Sequence, residues 1–181
     1  AVLFEGMNVL FTEGNLNNHI GVPLTLLRIR PEHDIAVIET GANHPGEITL
    51  LSNIVQADFG LITNVGRAHL EGFGSFEGVK QTKGELYDDL YKRGKQIFLN
   101  TSDEDLVQMA IGRGFVLGKD ALPYIEGVVD AVTPFVEMKW KPTNVQPWRT
   151  TTTNLVGSYN IANLCAAVTI GLYFGITLEQ I

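Results

Sequence analysis

The sequence has one cysteine, Cys165, among 181 residues, so no internal disulfide can staple the fold. Its neighbours Leu164, Ala166 and Ala167 read as a buried helix face, where a thiol is a small apolar filler. Positive charge is also scarce. Thirteen lysines and arginines face 20 aspartates and glutamates, for a net charge of −7, which leaves no basic footprint for nucleic acid or an anionic membrane. The most apolar stretch, 161–176, is broken by Asn163, Thr169, Gly171 and Gly175 and is too short and punctuated to cross a bilayer. No cationic, apolar leader opens the chain, so a cytoplasmic location is expected. The short signatures G-x-x-x-x-G-K-[ST], G-x-G-x-x-G after a strand, C-x-x-C, H-E-x-x-H and G-x-S-x-G are all missing.

What is present describes a folded, glycine-rich α/β chain. Hydrophobic residues make up 45% and charged residues 18%, which excludes a disordered chain. Short apolar runs at 8–12, 35–38, 59–63 and 96–99, with a weaker one at 114–117, read as strands; the run 35–38 has the continuous pattern of a strand buried on both faces. Helical patterns fall between them at 46–55, at 75–90 with Ser75 as N-cap, and from Ser102, a second capping serine before an acidic first turn. Strands alternating with helices predict a mostly parallel central sheet flanked by helices. From about 122 to 155 the segments 124–130, 134–140 and 148–154 are rich in aromatic and branched residues, predicting a small antiparallel β subdomain. A last helix, 160–174, carries Ile161, Leu164, Cys165, Val168 and Leu172 at helical spacing and stops at Gly175. Residue 1 is alanine, and 1–4 reads like the tail of a helix stopped by Gly6, so the chain is expected to be a piece of a longer protein.

Ligands of parallel α/β sheets collect beyond the carboxyl ends of the strands. Three polar clusters fall there. Gly14-Asn15-Leu16-Asn17-Asn18-His19 offers uncharged donors and acceptors to an oxygen-rich ligand, or forms a turn tolerant of left-handed backbone. Glu39-Thr40-Gly41-Ala42-Asn43-His44-Pro45-Gly46-Glu47 begins with a carboxylate closing an apolar strand, which must be solvated, paired or bound to a cation such as Mg²⁺. Asn64-Val65-Gly66-Arg67-Ala68-His69-Leu70-Glu71-Gly72 adds an imidazole and a carboxylate, which could equally be surface groups. Lys83 precedes Gly84, an unusual residue inside a helix that would let a ligand or backbone approach, or Lys83 is a solvated lysine. Asn160, after Gly157-Ser158-Tyr159, reads first as the cap of the last helix.

These motifs, in this order and with Lys83-Gly84-Glu85 and Gly157-Ser158-Tyr159-Asn160-Ile161-Ala162-Asn163, closely resemble the Mur ligases, and within them the MurF type. The resemblance implies the central ATP-binding domain of a three-domain, P-loop NTPase-related ligase across 1–181, with the UDP-sugar domain and the C-terminal Rossmann-like domain absent. It also implies an activity, the joining of D-Ala-D-Ala to UDP-MurNAc-tripeptide at the expense of ATP, through an acyl phosphate. By the same resemblance Glu39 and His69 are Mg²⁺ ligands and catalytic groups. Lys83 matches a lysine that carries a carbamate and ligates metal as an anion. Asn160 matches an adenine contact, Asn64 lies by the phosphate path, and Asn15, Asn17 and Asn18 resemble the loop facing the peptide substrate. Asn43 and His44 lie in the signature turn. With no P-loop in the sequence, the chain alone is expected to be inactive; a monomer is expected. A non-catalytic module of the same fold and another Mur or folylpolyglutamate-type ligase are the alternatives.

Overall fold

The computed structural model describes residues 2–66, 73–142 and 147–181. Two compact units emerge, one of Met7–Leu122 and one joining the N-terminal 3₁₀ turn Val2–Glu5 to Pro123–Ile181. Both are α/β in content, and no helix among the described residues is long and apolar enough to cross a membrane.

In the first unit β1 (Val9–Phe11) lies parallel to β2 (Ile35–Val37), with Val9 opposite Ile35 and Phe11 opposite Val37. The short helix α1 (Gly21–Leu26) falls between them in the chain, and α2 (Glu47–Val55) follows β2. A second group places β4 (Gln96–Leu99) between β3 (Phe59–Gly60), to which it is parallel, and β5 (Ala121–Pro123). Helices α3 (Phe76–Lys92) and α4 (Glu104–Ile111) flank this group. Parallel pairing thus holds as expected, divided between a two-stranded and a three-stranded sheet.

Helix α3 is the keystone of this unit. Ser75 has extended backbone and its Oγ accepts a hydrogen bond from Gly78 N at 3.0 Å, the capping geometry expected of that serine. Val79, Thr82, Leu86, Tyr87 and Leu90 recur at three- and four-residue spacing and form its inner stripe. Tyr87 and Leu90 are fully buried with Ile97 and Leu99 of β4 and Leu106 of α4, each side chain contributing about 1.5–3 kcal/mol of burial. Gly60 lets the helix come close, because a Cβ there would sit 2.5 Å from Leu90 Cδ1.

Four local readings need correction. Helix α4 is capped by Asp103, not Ser102: Asp103 has the extended backbone and accepts from Leu106 N at 3.2 Å, whereas Ser102 N donates to Asn100 Oδ1 in the preceding turn. The run 114–117 is no strand, since Gly114 and Phe115 donate their N–H groups to Ile111 O and Ala110 O and so finish α4. Only Leu117 bridges to Ala121, where β5 begins. Strand β2 is not covered on both faces: Ala36 and Val37 are exposed, because among the described residues β2 pairs with β1 alone. Gly84 gives room to no ligand or backbone; a Cβ there would meet the Arg113 guanidinium, which is paired with Asp88 at 2.9 Å.

In the second unit β6 (Glu126–Val132), β7 (Val136–Lys141) and β8 (Arg149–Thr152) form an antiparallel sheet, with a bulge in β6 between Val129 and Ala131. Alternate residues of β7 turn inward, so Val136, Met138 and Trp140 are buried. Trp140 Nε1 donates to Thr151 Oγ1 at 2.9 Å, which removes the cost of burying its polar edge. Helix α5 (Ile161–Tyr173) packs on β6, where Gly127 makes room for the Cys165 sulfur. Gly175, at φ +87°, ends α5 as expected: Ile176 N returns to Gly171 O and Gly175 N to Leu172 O, a Schellman motif.

Gly21, at the start of α1, is a position of close backbone approach, since a Cβ would sit 2.4 Å from the main chain of Leu16. Gly21→Ala raises helix propensity yet is expected to lower stability by about 1–3 kcal/mol, because a main chain cannot step aside as a side chain can. Denaturant midpoints of the two proteins check this, and an unchanged or higher midpoint for the variant would contradict it.

Candidate functional site

The loops that leave β1 and β2 are tied together by hydrogen bonds. Thr12 N donates to Val37 O at 3.1 Å and Glu39 N donates to Thr12 Oγ1 at 2.9 Å, carrying the parallel pairing one step past the strands. Asn17 then bridges the two loops. Its Nδ2 donates to Glu39 Oε1 at 2.7 Å, and its carbonyl accepts from Gly41 N at 2.8 Å. A Cβ on Gly41 would come within 2.9 Å of the Asn17 carboxamide, so this glycine is required by close approach.

Glu39 therefore has one oxygen oriented by an amide, and among the described residues its Oε2 has no hydrogen-bond partner. A solvated carboxylate held in one orientation by a neutral donor suits a hard cation, for the same reason that outer hydrogen bonds orient metal ligands. Asn15 is exposed and accepts from Asn17 N at 2.8 Å through its carbonyl. Asn18 spends its side chain locally: Oδ1 accepts from Ile20 N at 3.0 Å and Gly21 N at 2.9 Å, starting α1.

The signature turn after β2 is organised by two carboxylates. Glu47 Oε2 accepts from Asn43 N at 2.7 Å and His44 N at 3.1 Å. These two backbone donors, helped by the nearby His44 ring, hold the Glu47 carboxyl below the ordinary range. Asn43 and His44 thus contribute their backbones to the turn. The second carboxylate belongs to Glu85 on α3, which accepts from Gly46 N at 2.7 Å, Thr49 N at 2.8 Å and Thr49 Oγ1 at 3.0 Å.

Lys83, two residues before Glu85, reaches the third loop and donates from Nζ to Asn64 O at 2.6 Å. Burial pushes its amine below the usual lysine range, with no charged neighbour contributing among the described residues. Asn64 thus meets Lys83 through its carbonyl, at the end of the run that begins with β3. His69 lies outside the described residues. Among the described residues no group of three or more histidine, cysteine, aspartate or glutamate side chains is gathered to hold a metal ion.

Asn160 belongs to the other unit and does not cap α5 as expected. The 3₁₀ turn Ser158–Asn160 runs directly into the helix, and Asn160 has helical backbone. Its Nδ2 donates to Val156 O at 3.1 Å and its Oδ1 accepts from Asn163 Nδ2 at 3.2 Å. Reading the residues one loop at a time missed Thr12, Thr49 and Glu85. For Thr12 the signal was a hydroxyl at a strand end; Glu85 was in view beside Lys83 but has its partners 36 and 39 residues away.

The family model described as Mur ligase middle domain matches residues 1–171. A UDP-N-acetylmuramoyl-tripeptide–D-alanyl-D-alanine ligase of Escherichia coli (strain K12) is 39% identical over 190 aligned positions, covering all of this chain and 41% of that protein. The ligase of the same name from Bacillus subtilis (strain 168) is 35% identical, covering 99% of this chain and 38% of that protein. Among solved structures, MurF from Acinetobacter baumannii superposes with a TM-score of 0.84 at 29% identity, over 99% of this chain and 40% of that one. MurF ligase from Thermotoga maritima in complex with ADP shares the fold, with a TM-score of 0.78 at 22% identity, over 99% of this chain and 43% of that one. The chain spans about two fifths of the length of these relatives. With the strand-end loops, the family match and the fold in agreement, the chain belongs to the Mur ligase middle-domain family.

Proposed function

We propose that this chain is the central, ATP-handling domain of a MurF-type ligase that joins D-Ala-D-Ala to UDP-MurNAc-tripeptide in peptidoglycan synthesis. The names of the relatives that match the whole chain support the substrates, and the ADP complex among its structural neighbours supports the nucleotide. The observation that carries the reading is Lys83. A half-buried amine, its basicity lowered by burial and held by a backbone carbonyl where a strand-end loop begins, suits carbamylation better than a solvated lysine does. Only the neutral amine adds CO₂: its nitrogen lone pair forms the N–C bond, a proton leaves, and a carbamate anion results. A carbamate retains one N–H, a donor of the kind that Asn64 O accepts from the unmodified amine.

In the proposed reaction ATP phosphorylates the terminal carboxylate of the tripeptide. The dipeptide amine then attacks the acyl phosphate, the amide bond forms and phosphate leaves. Two anions must first be brought together, the carboxylate and the γ-phosphate, and Mg²⁺ supplies the positive charge for this when bound. Glu39, oriented by Asn17, fits as a hard oxygen ligand; His69 and carbamylated Lys83 complete the proposed set. Asn15, Asn17 and Asn18 would face the peptide substrate, with Asn43 and His44 in the adjoining turn. Asn64 would lie along the phosphate path and Asn160 against adenine. The sequence has no G-x-x-x-x-G-K-[ST] loop to cradle the β- and γ-phosphates, so turnover requires a longer parent chain.

Phosphate release by the full-length parent, measured with and without D-Ala-D-Ala, tests this reading; release indifferent to the dipeptide would refute it. The 181 residues alone are expected to hydrolyse no ATP. In the parent, Lys83→Ala should lower ligation by on the order of 10²-fold or more, with partial recovery in short carboxylic acids. Wild-type activity in that variant would remove Lys83 from the site. His69→Ala should shift the magnesium titration to higher concentration, and an unaltered titration would count against His69 as a ligand.

A further inference from the structure

Helix α2 begins without a cap of its own. Its N-cap is Gly46, at φ +87°, which has no side chain to accept from the exposed donors of the first turn. In a capping box the N-cap side chain takes the N–H of the third helical residue, whose own side chain takes the N–H of the N-cap. Here one carboxylate from another helix does both. Glu85 accepts from Gly46 N, the N-cap donor, and from Thr49 N, the third-residue donor, and also from the Thr49 hydroxyl. A carboxylate at this place also complements the positive end of the helix dipole.

The carboxylate is on α3, two residues beyond Lys83. Two residues of α-helix turn the chain by about 200°, so the two side chains leave on nearly opposite sides of α3. One side of α3 thereby holds the loop after β3, through Lys83 and Asn64 O, and the other holds the turn after β2, through Glu85. From Gly46 the constraint runs on. Glu47 fixes the backbones of Asn43 and His44, Gly41 is tied to Asn17, and Asn17 orients Glu39.

We propose that Glu85 is a positioning residue of the ligase, setting the distance and orientation between Lys83 and the Glu39-bearing loop by capping α2 across the gap between helices. The proposal rests on the ligase reading above. Glu85 touches no substrate in this role; it aligns the groups that would. Misalignment of about an ångström far from the chemistry can cost on the order of 10²-fold in rate while leaving ground-state binding nearly intact.

The experiment uses the full-length parent carrying Glu85→Ala or Glu85→Gln, with kcat, KM for MgATP and amide hydrogen exchange at Gly46 and Thr49 as readouts. For Glu85→Ala the expected result is a kcat lower by roughly 10- to 10²-fold, KM within about twofold, and exchange at both amides faster by about tenfold or more. Glu85→Gln, which retains one acceptor oxygen, should recover part of both effects. Wild-type kcat in Glu85→Ala overturns the proposal, and so does a lowered kcat with exchange at Gly46 and Thr49 unchanged. If Glu85→Ala does not fold, Thr49→Val removes one donor and keeps both backbone contacts. It should lower kcat about two- to fivefold, with Thr49→Ser restoring it, and wild-type kcat in Thr49→Val also overturns the proposal. A wild-type parent that releases no phosphate in response to D-Ala-D-Ala sinks the ligase reading itself, and the role of Glu85 with it. An active parent indifferent to Glu85 sinks this inference alone.

Discussion

The seating of α3 is the constraint on which the strand-end groups depend. Tyr87 and Leu90 are fully buried against Ile97, Leu99 and Leu106, so the rotation of the helix about its own axis is set by apolar packing. Rolling it would expose several side chains at about 1.5–3 kcal/mol each, whereas a single hydrogen bond from a charged donor, such as that from Lys83 to Asn64, is worth about 1.5–3 kcal/mol. Packing wins, and the polar groups follow. Lys83, carried on this helix, is half-buried, and that burial lowers its basicity.

The loops are held by a different class of force. Asn17 on Glu39, Glu47 on Asn43 and His44, and Glu85 on Gly46 and Thr49 are all hydrogen bonds within reach of water. Each is modest, and solvent competes for every one. A packed core beneath a hydrogen-bonded rim divides the unit into a frame set by burial and loops set by weaker, solvent-exposed bonds.

How much of this was legible in the sequence depended on the range of the interaction. The Ser75 cap was readable because its partner, Gly78, is three residues away, and the end of α5 at Gly175 for a similar reason. Asp103 displaced Ser102 as a cap by one position, a choice made by backbone dihedrals that residue type cannot resolve. The three strand-end clusters were visible from their polarity, but not that Asn17 would join the first to the second, or that Asn18 would spend its oxygen on α1. Least legible was Glu85. A carboxylate on a helix surface reads as solvated, and its donors lie on a different helix. The exposed face of β2 was misread because a continuous apolar run tells of a preference for burial, not of which neighbours are there to provide it.

The contact between Gly127 and Cys165 has a practical side. The thiol is buried, and its ionisation is pushed up to about 11, so the reactive thiolate is scarce while α5 stays on β6. Being the only cysteine in the sequence, it is silent in the folded state and unambiguous once exposed. The rate at which a thiol reagent labels this protein is thus a stopwatch for the exposure of the contact between β6 and α5, running without any engineered probe.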